Sequence, residues 1–320
     1  MIPRIFIVFL LGLCPFISSY AAEMSVIAGN GEAGFKDGKE ARFNKPIRLS
    51  PFGPGRILVA DIGNHAIRIV SKDGTVTTIA GGPDKQGHKD GPAKDAMFNG
   101  PHGVAVSPEG IIAVAGASSH VIRLITPTDH GYMVSTIAGV EGETGLRNGP
   151  AKQALFNSPH GLSWDDQGGL LIVDIGNSAI RRIKDGVVTT VLTSDVPEMA
   201  MPIDIAPAAK GAFLIADAGN NTALRWHPNG PIEIIATDKP LKVPHGVAQG
   251  LNGAVYVAEI GHHQISRLKN GHKTSVAGTG TAGKATNQLN KPAAVLVHDG
   301  ILWIADLSNH RIAIVPLTEE

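Results

Sequence analysis

"PHGVAV" (Pro101–Val106) returns as "PHGLSW" (Pro159–Trp164) and "PHGVAQ" (Pro244–Gln249). The same slot reads "PIRLSP" at Pro46, "PIDIAP" at Pro202 and "PAAVLV" at Pro292. Six prolines, spaced from 42 residues (Pro202 to Pro244) to 58 (Pro101 to Pro159), open six copies of one unit. Each is followed by an apolar run that ends in an acidic or small residue and a turn, as in "ILVADIGNHAIRIV" (Ile57–Val70), "LIADAGNNTALRW" (Leu214–Trp226) and "VYVAEIGHHQISRL" (Val255–Leu268). A further run recurs as "TVTTIAG", "MVSTIAG", "VVTTVLT", "PIEIIAT" and "KTSVAG". Val- and Ile-rich runs split by Gly, Asn, Asp and Pro read as short strands, and no helical periodicity persists. Four strands per unit at this period predict an all-β, six-bladed β-propeller with four-stranded blades.

The sixth unit lacks its last strand, because the chain stops soon after "HRIAIVPL". "SVIAG" (Ser25–Gly29) precedes the first proline and matches "TTIAG" (Thr77–Gly81). It is expected to complete the last blade from the N-terminus and so remove an open sheet edge. The connectors of units one to three and six are long. In two of them "AKDAMF" and "AKQALF" suggest a single helical turn with Phe packed beneath it.

Upstream, Arg4, the apolar Ile5–Leu13 and the small residues of "SSYAAEM" read as an export leader spanning residues 1–22, leaving 23–320 as one propeller domain. The expected location is secreted or periplasmic. Cys14 is the only cysteine and lies in that leader. It is a candidate lipid attachment site, though the bulky Leu13 precedes it. Residues 23–320 therefore hold no disulfide and no thiolate. Basic and acidic residues balance at 28 each, which argues against nucleic acid as a partner, and no second apolar stretch reaches membrane length. A monomer binding a protein, peptide or small molecule at its loop-rich face is expected.

The units resemble NHL repeats over essentially all of residues 23–320. "VADIGNHAIRIV" (Val59–Val70) and "IADLSNHRIAIV" (Ile304–Val315) carry the Asn-His pair of that family. The resemblance implies the six-bladed propeller but no single activity, since NHL propellers include binding modules and enzymes. One enzyme of similar build, the peptidylglycine α-amidating lyase propeller, holds catalytic zinc through histidines in Pro-His-x triplets. By that likeness His102, His160 and His245 become candidate Zn²⁺ ligands. They come from blades two, three and five rather than from alternating blades, and no counterpart of that lyase's catalytic tyrosine and arginines stands out.

In a propeller the loop entering the inner strand and the turn after the second strand open on one face. Ile47, His102, His160, Ile203, His245 and Ala293 should ring one mouth, with Arg48 and Asp204 one position further in. Asp61, Asp174, Asp217, Glu259 and Asp306 should lie close by on the same face. Three imidazoles around an open site suit Zn²⁺ with a bound water. Arg48, Asp204 and Glu259, the single Glu at an Asp slot, are then candidates for catalytic support, so a metal-dependent lyase or hydrolase is the alternative function. The many channel-facing acids raise a calcium-dependent, lactonase-like reading as a third. Against these stands a plainer use, in which Pro-His-Gly serves a tight loop and the acids hold turns. "GNGEAG" and "GTGTAG" fall at one repeat position without a βαβ unit and read as connector turns. Whether the chain is an enzyme stays open at this point.

Overall fold

The computed structural model describes residues 23–228 and 230–317, so the leader expected at 1–22, with Cys14, lies outside the described residues. Six antiparallel sheets surround one axis, one per repeat. In blade one the inner strand Pro46–Pro51 pairs with Arg56–Asp61, then follow Ala66–Ser71 and Val76–Gly81. The inner strands of the other blades are Pro101–Val106, Pro159–Trp164, Pro202–Pro207, Pro244–Gln249 and Pro292–His298. Each touches the inner strands of both neighbours, and blade six meets blade one. Ser25–Ala28 is the outermost strand of blade six, hydrogen-bonded to Arg311–Pro316.

Sandwiching every blade between two others explains the continuous apolar runs of the second strands. Ile57, Leu58, Val59 and Ala60 are all fully buried, because both faces of the sheet are covered. Short 3-10 turns are the only helical elements among the described residues, including Ala151–Gln153 in the "AKQALF" connector. The Phe residues expected beneath these connectors, Phe98 and Phe156, are buried, with the guanidinium of Arg123 or Arg181 about 4.5 and 5.0 Å from the ring centres. Blades two and three carry one extra two-residue strand at the outer edge, Gly91–Pro92 and Gly149–Pro150.

Two backbone features position the channel. In all six blades the register between the inner and second strands slips just after the proline, a bulge that re-aims the following side chain. That side chain is Ile47, His102, His160, Ile203, His245 or Ala293. Next comes glycine in blades two, three and five, where neighbouring backbones nearly touch. A Cβ on Gly103 would sit 1.9 Å from the His160 carbonyl oxygen, and one on Gly161 would sit 2.8 Å from the Asp204 Cα. The Gly of Pro-His-Gly is thus a packing requirement.

The acidic residue that ends the second strand in every blade but the second, where Gly116 stands, is a clamp. Asp61, Asp174 and Asp306 accept the backbone N–H of Asn44, Asn157 and Asn290, two residues before the inner strand of the same blade opens, at 2.7–2.8 Å. They also accept an Asn side chain three residues on and an arginine of the third strand. Asp217 takes the Ala200 and Met201 amides, with Gly219 beside them. The structural reading of these acids stands, with one correction: their main backbone partner is the incoming connector, and of these four only Asp217 also accepts a backbone amide of the turn.

Candidate ligand channel

The bulge turns three histidines into one layer at the mouth where the connectors enter. The His102 and His160 ring centres lie 3.6 Å apart, and those of His102 and His245 5.9 Å. The Nδ1 atoms of His160 and His245 face backbone carbonyls of Ser158 and Ala293 at 2.8 Å, so in the neutral ring each Nδ1–H donates and Nε2 keeps its lone pair. Burial, with the Arg48 charge nearby, holds His160 down to about 4 and His245 to about 3. Burial and the neighbouring His160 and Arg48 push His102 well below its ordinary value. All three are neutral imidazoles at pH 7.

One position deeper, Arg48 of blade one reaches across the axis to Asp204 of blade four, Nη1 to Oδ2 at 2.7 Å. The glycines at this level in blades two, three and five leave room for that bridge. Arg48 Nη1 also donates to the His245 carbonyl at 3.3 Å, and the Val247 N–H donates to Asp204 at 3.2 Å. Both side chains are buried, and burial outweighs pairing: it raises the Asp204 carboxyl and lowers the Arg48 guanidinium.

Beyond that bridge the channel widens into a cavity of about 360 Å³. Its lining runs from Arg48 and Asp204 to the far ends of the inner strands at Pro51, Val106, Trp164, Pro207, Gln249 and Val297, and none of the three histidines takes part. The space therefore lies on the opposite side of the histidine layer from the connector loops. The loop-rich face, where ligand binding was expected, and this cavity are separate places on the propeller.

The sequence brings His102, His160, His245, Arg48 and Asp204 together as expected, but the imidazoles do not fit a zinc centre. Ligands of one tetrahedral ion point their nitrogens at a common centre about 2.0–2.1 Å away. The His102 and His160 rings instead pack against each other, closer than two ligands of one such ion sit. Arg48 places a permanent positive charge beside all three. Among the described residues no group of three His, Cys, Asp or Glu side chains is placed to hold a metal ion. Glu259 does not join the layer. Its buried carboxylate accepts from the Lys242 N–H, His262, Gln264, Ser266 and Lys273, all of blade five or its connector. With five partners it has no free lone pair aimed at the channel, so the catalytic role expected of it has no geometric basis.

Sequence reasoning left one job of the turn histidines unread. His65, His120, His263 and His310 sit at positive φ after the second strand. Their Nδ1 atoms accept the N–H of Gly100, Ser158, Lys291 and Lys45, each just before the inner-strand proline of the next blade, at 3.0–3.3 Å. Asn221 does the same for Val243 at 2.7 Å. The side chain is a clasp between neighbouring blades, and its recurrence at one repeat slot was the available signal.

Comparison with known proteins matches this architecture. The chain is 25% identical over 329 residues to NHL repeat-containing protein 2 of Bos taurus, an alignment covering 82% of this chain and 45% of that protein. The chain is a six-bladed β-propeller similar to NHL repeat-containing proteins. No protein-family model matches it. The propeller spans less than half the length of curated relatives it matches. Among solved structures, an auxiliary nutrient binding protein from Bacteroides thetaiotaomicron superposes with a TM-score of 0.68 at 14% identity, over 91% of this chain and 75% of that one. A catalytically inactive histidine-to-alanine form of virginiamycin B lyase from Staphylococcus aureus, with quinupristin, gives a TM-score of 0.60 at 15% identity, over 88% and 98%. At these identities the likeness shows the shared fold. No helix among the described residues is long and apolar enough to cross a membrane.

Proposed function

We propose that this propeller is an exported binding protein that takes a small organic ligand into its axial channel from the face opposite the histidines. The cavity carries the reading. At about 360 Å³ it falls in the range of small-molecule sites, with mostly apolar walls and a few polar groups, the charged ones at one end. The likeness to a nutrient-binding propeller agrees with such a role. The export leader belongs to the same proposal, since residues 23–320 hold no cysteine and suit an oxidising compartment. A zinc-dependent lyase or hydrolase loses its support with the ligand geometry described above.

The test is equilibrium dialysis of the purified protein against a small-molecule extract, read by mass spectrometry. Ala206 lines the cavity at the repeat position occupied by Ser50, Ala105 and Ser163, and Ala206→Trp should fill the space. At least one compound should be retained by the native chain and released by Ala206→Trp. Retention of nothing, or equal retention by both proteins, overturns the reading.

A further inference from the structure

Arg48 is 3% exposed and forms part of the cavity lining, yet only one of its three nitrogens is used. Nη1 serves Asp204 and the His245 carbonyl. Nε and Nη2 are buried and have no hydrogen-bond partner. Those two nitrogens share one edge of the guanidinium and present parallel N–H groups, the fork that grips both oxygens of a carboxylate. An orphaned pair of charged donors is uncommon in a folded interior and asks for an acceptor. The walls beyond it are mostly apolar, with Leu49, Val104, Leu162, Ile205 and Val247, the Trp164 ring toward the outer end, and Ser50, Ser163 and Gln249 as polar exceptions.

Charge narrows the choice further. Asp204 already balances Arg48, and the adjacent histidines are neutral. One ligand charge leaves a single net negative in the site, held on two donors. The second charge of a phosphate monoester or a dicarboxylate would be buried with no cation to meet it.

Resting on the channel reading above, we propose that the ligand is an amphipathic organic monocarboxylate. Its carboxylate sits on Nε and Nη2 of Arg48, and its apolar body runs along the cavity toward Trp164.

The probe is octanoate, compared with octanamide of the same length and shape, by isothermal titration and thermal shift on the full chain. Octanoate should bind at least about tenfold more tightly than the amide, since only the carboxylate makes the charged two-pronged contact. Arg48→Lys keeps the charge opposite Asp204, and so the fold, but removes the fork; it should erase that preference. Ala206→Trp should abolish both interactions.

Equal binding of octanoate and octanamide, both lost in Ala206→Trp, would overturn the carboxylate assignment and leave the channel reading standing. Octanoate binding that survives Arg48→Lys overturns the assignment as well. Binding that survives Ala206→Trp places the site elsewhere and overturns both. Failure of octanoate to bind the native protein overturns the monocarboxylate, while the extract dialysis decides the channel separately.

Discussion

Arg48 and Asp204 are opposite charges held where little water reaches them, and the cost of splitting them decides what a substitution does. Arg48→Met leaves a buried carboxylate without its cation and should cost about 3–5 kcal/mol in urea unfolding. Adding Asp204→Leu should restore most of it, because an apolar pair of similar volume avoids the burial of charge. If the double substitution is no more stable than the single, the pair supplies more than charge balance. The histidines add a pH dependence whose sign follows from their direction of shift. His160 and His245 bind protons less readily folded than unfolded, with folded values of about 4 and 3. Below the unfolded value of about 6.5 the unfolded chain takes up protons first, so stability falls with pH by up to about 1.4 kcal/mol per unit for each ring. Asp61, raised to about 6, acts in the opposite sense: its folded form takes up protons first as pH falls below about 6. Urea midpoints between pH 7 and 4 should therefore be compared with a His102→Gln/His160→Gln/His245→Gln triple variant. Its pH profile should be flatter than the native one, and a profile of unchanged slope would remove the histidines as its cause. Metal analysis belongs with that variant, since both proteins should carry the same substoichiometric zinc after incubation with the ion.

At the scale of the element, the turns after the second strands of blades five and six carry two grips of different strength. The His263 clasp is one neutral hydrogen bond to the Lys291 amide, so His263→Ala should cost about 1 kcal/mol and lower Tm by a few degrees. Asp306 satisfies the Asn290 amide, Asn309 and Arg311 from a fully buried site. Asp306→Ala strands a buried guanidinium and should cost about 3 kcal/mol or more in the same melt. Comparable losses from both would mean that the acid does not hold the connector. These two grips also show what was legible in the chain. Strand runs, turns and the proline slot were readable because each depends on neighbours in sequence, and repetition multiplied the signal. Asp306 was legible as a structural acid, yet its chief amide partner lies sixteen residues upstream. The bridge from Arg48 to Asp204 was further out of reach, because it joins opposite blades. Convergence of the three Pro-His-Gly loops was legible from the shared slot, but the tilt that packs His102 on His160 depends on the bulge. The cavity was missed for a related reason: it is defined by small residues such as Ser50, Ala105 and Ser163, which leave space and make no motif.

A ring of blades is only as cooperative as its seam, and here the seam joins the two ends of the described chain. Ser25–Ala28 lies along Arg311–Pro316, with Ser25 opposite Ile314 and Ala28 opposite Ile312. Ala28 is buried in a cluster with Phe43 and Trp303, so the strand also seals blade six against blade one. The fit is close: a Cβ on Gly74 of blade one would lie 2.5 Å from the Ile27 carbonyl oxygen, and one on Gly29 would lie 2.6 Å from that of His310. Removing the strand exposes the hydrogen-bonding edge of Arg311–Pro316 and uncovers that cluster, and an open apolar edge invites pairing between chains. A chain that starts at Asn30 should melt at least about 10 °C below one that starts at Glu23, the equivalent of a few kcal/mol for a domain of this size, and should aggregate with rising concentration. A synthetic peptide of residues 23–31 should recover part of the lost Tm by adding back the missing strand. Equal melting of the two chains, with no response to the peptide, would mean that the packing of inner strands alone closes the ring.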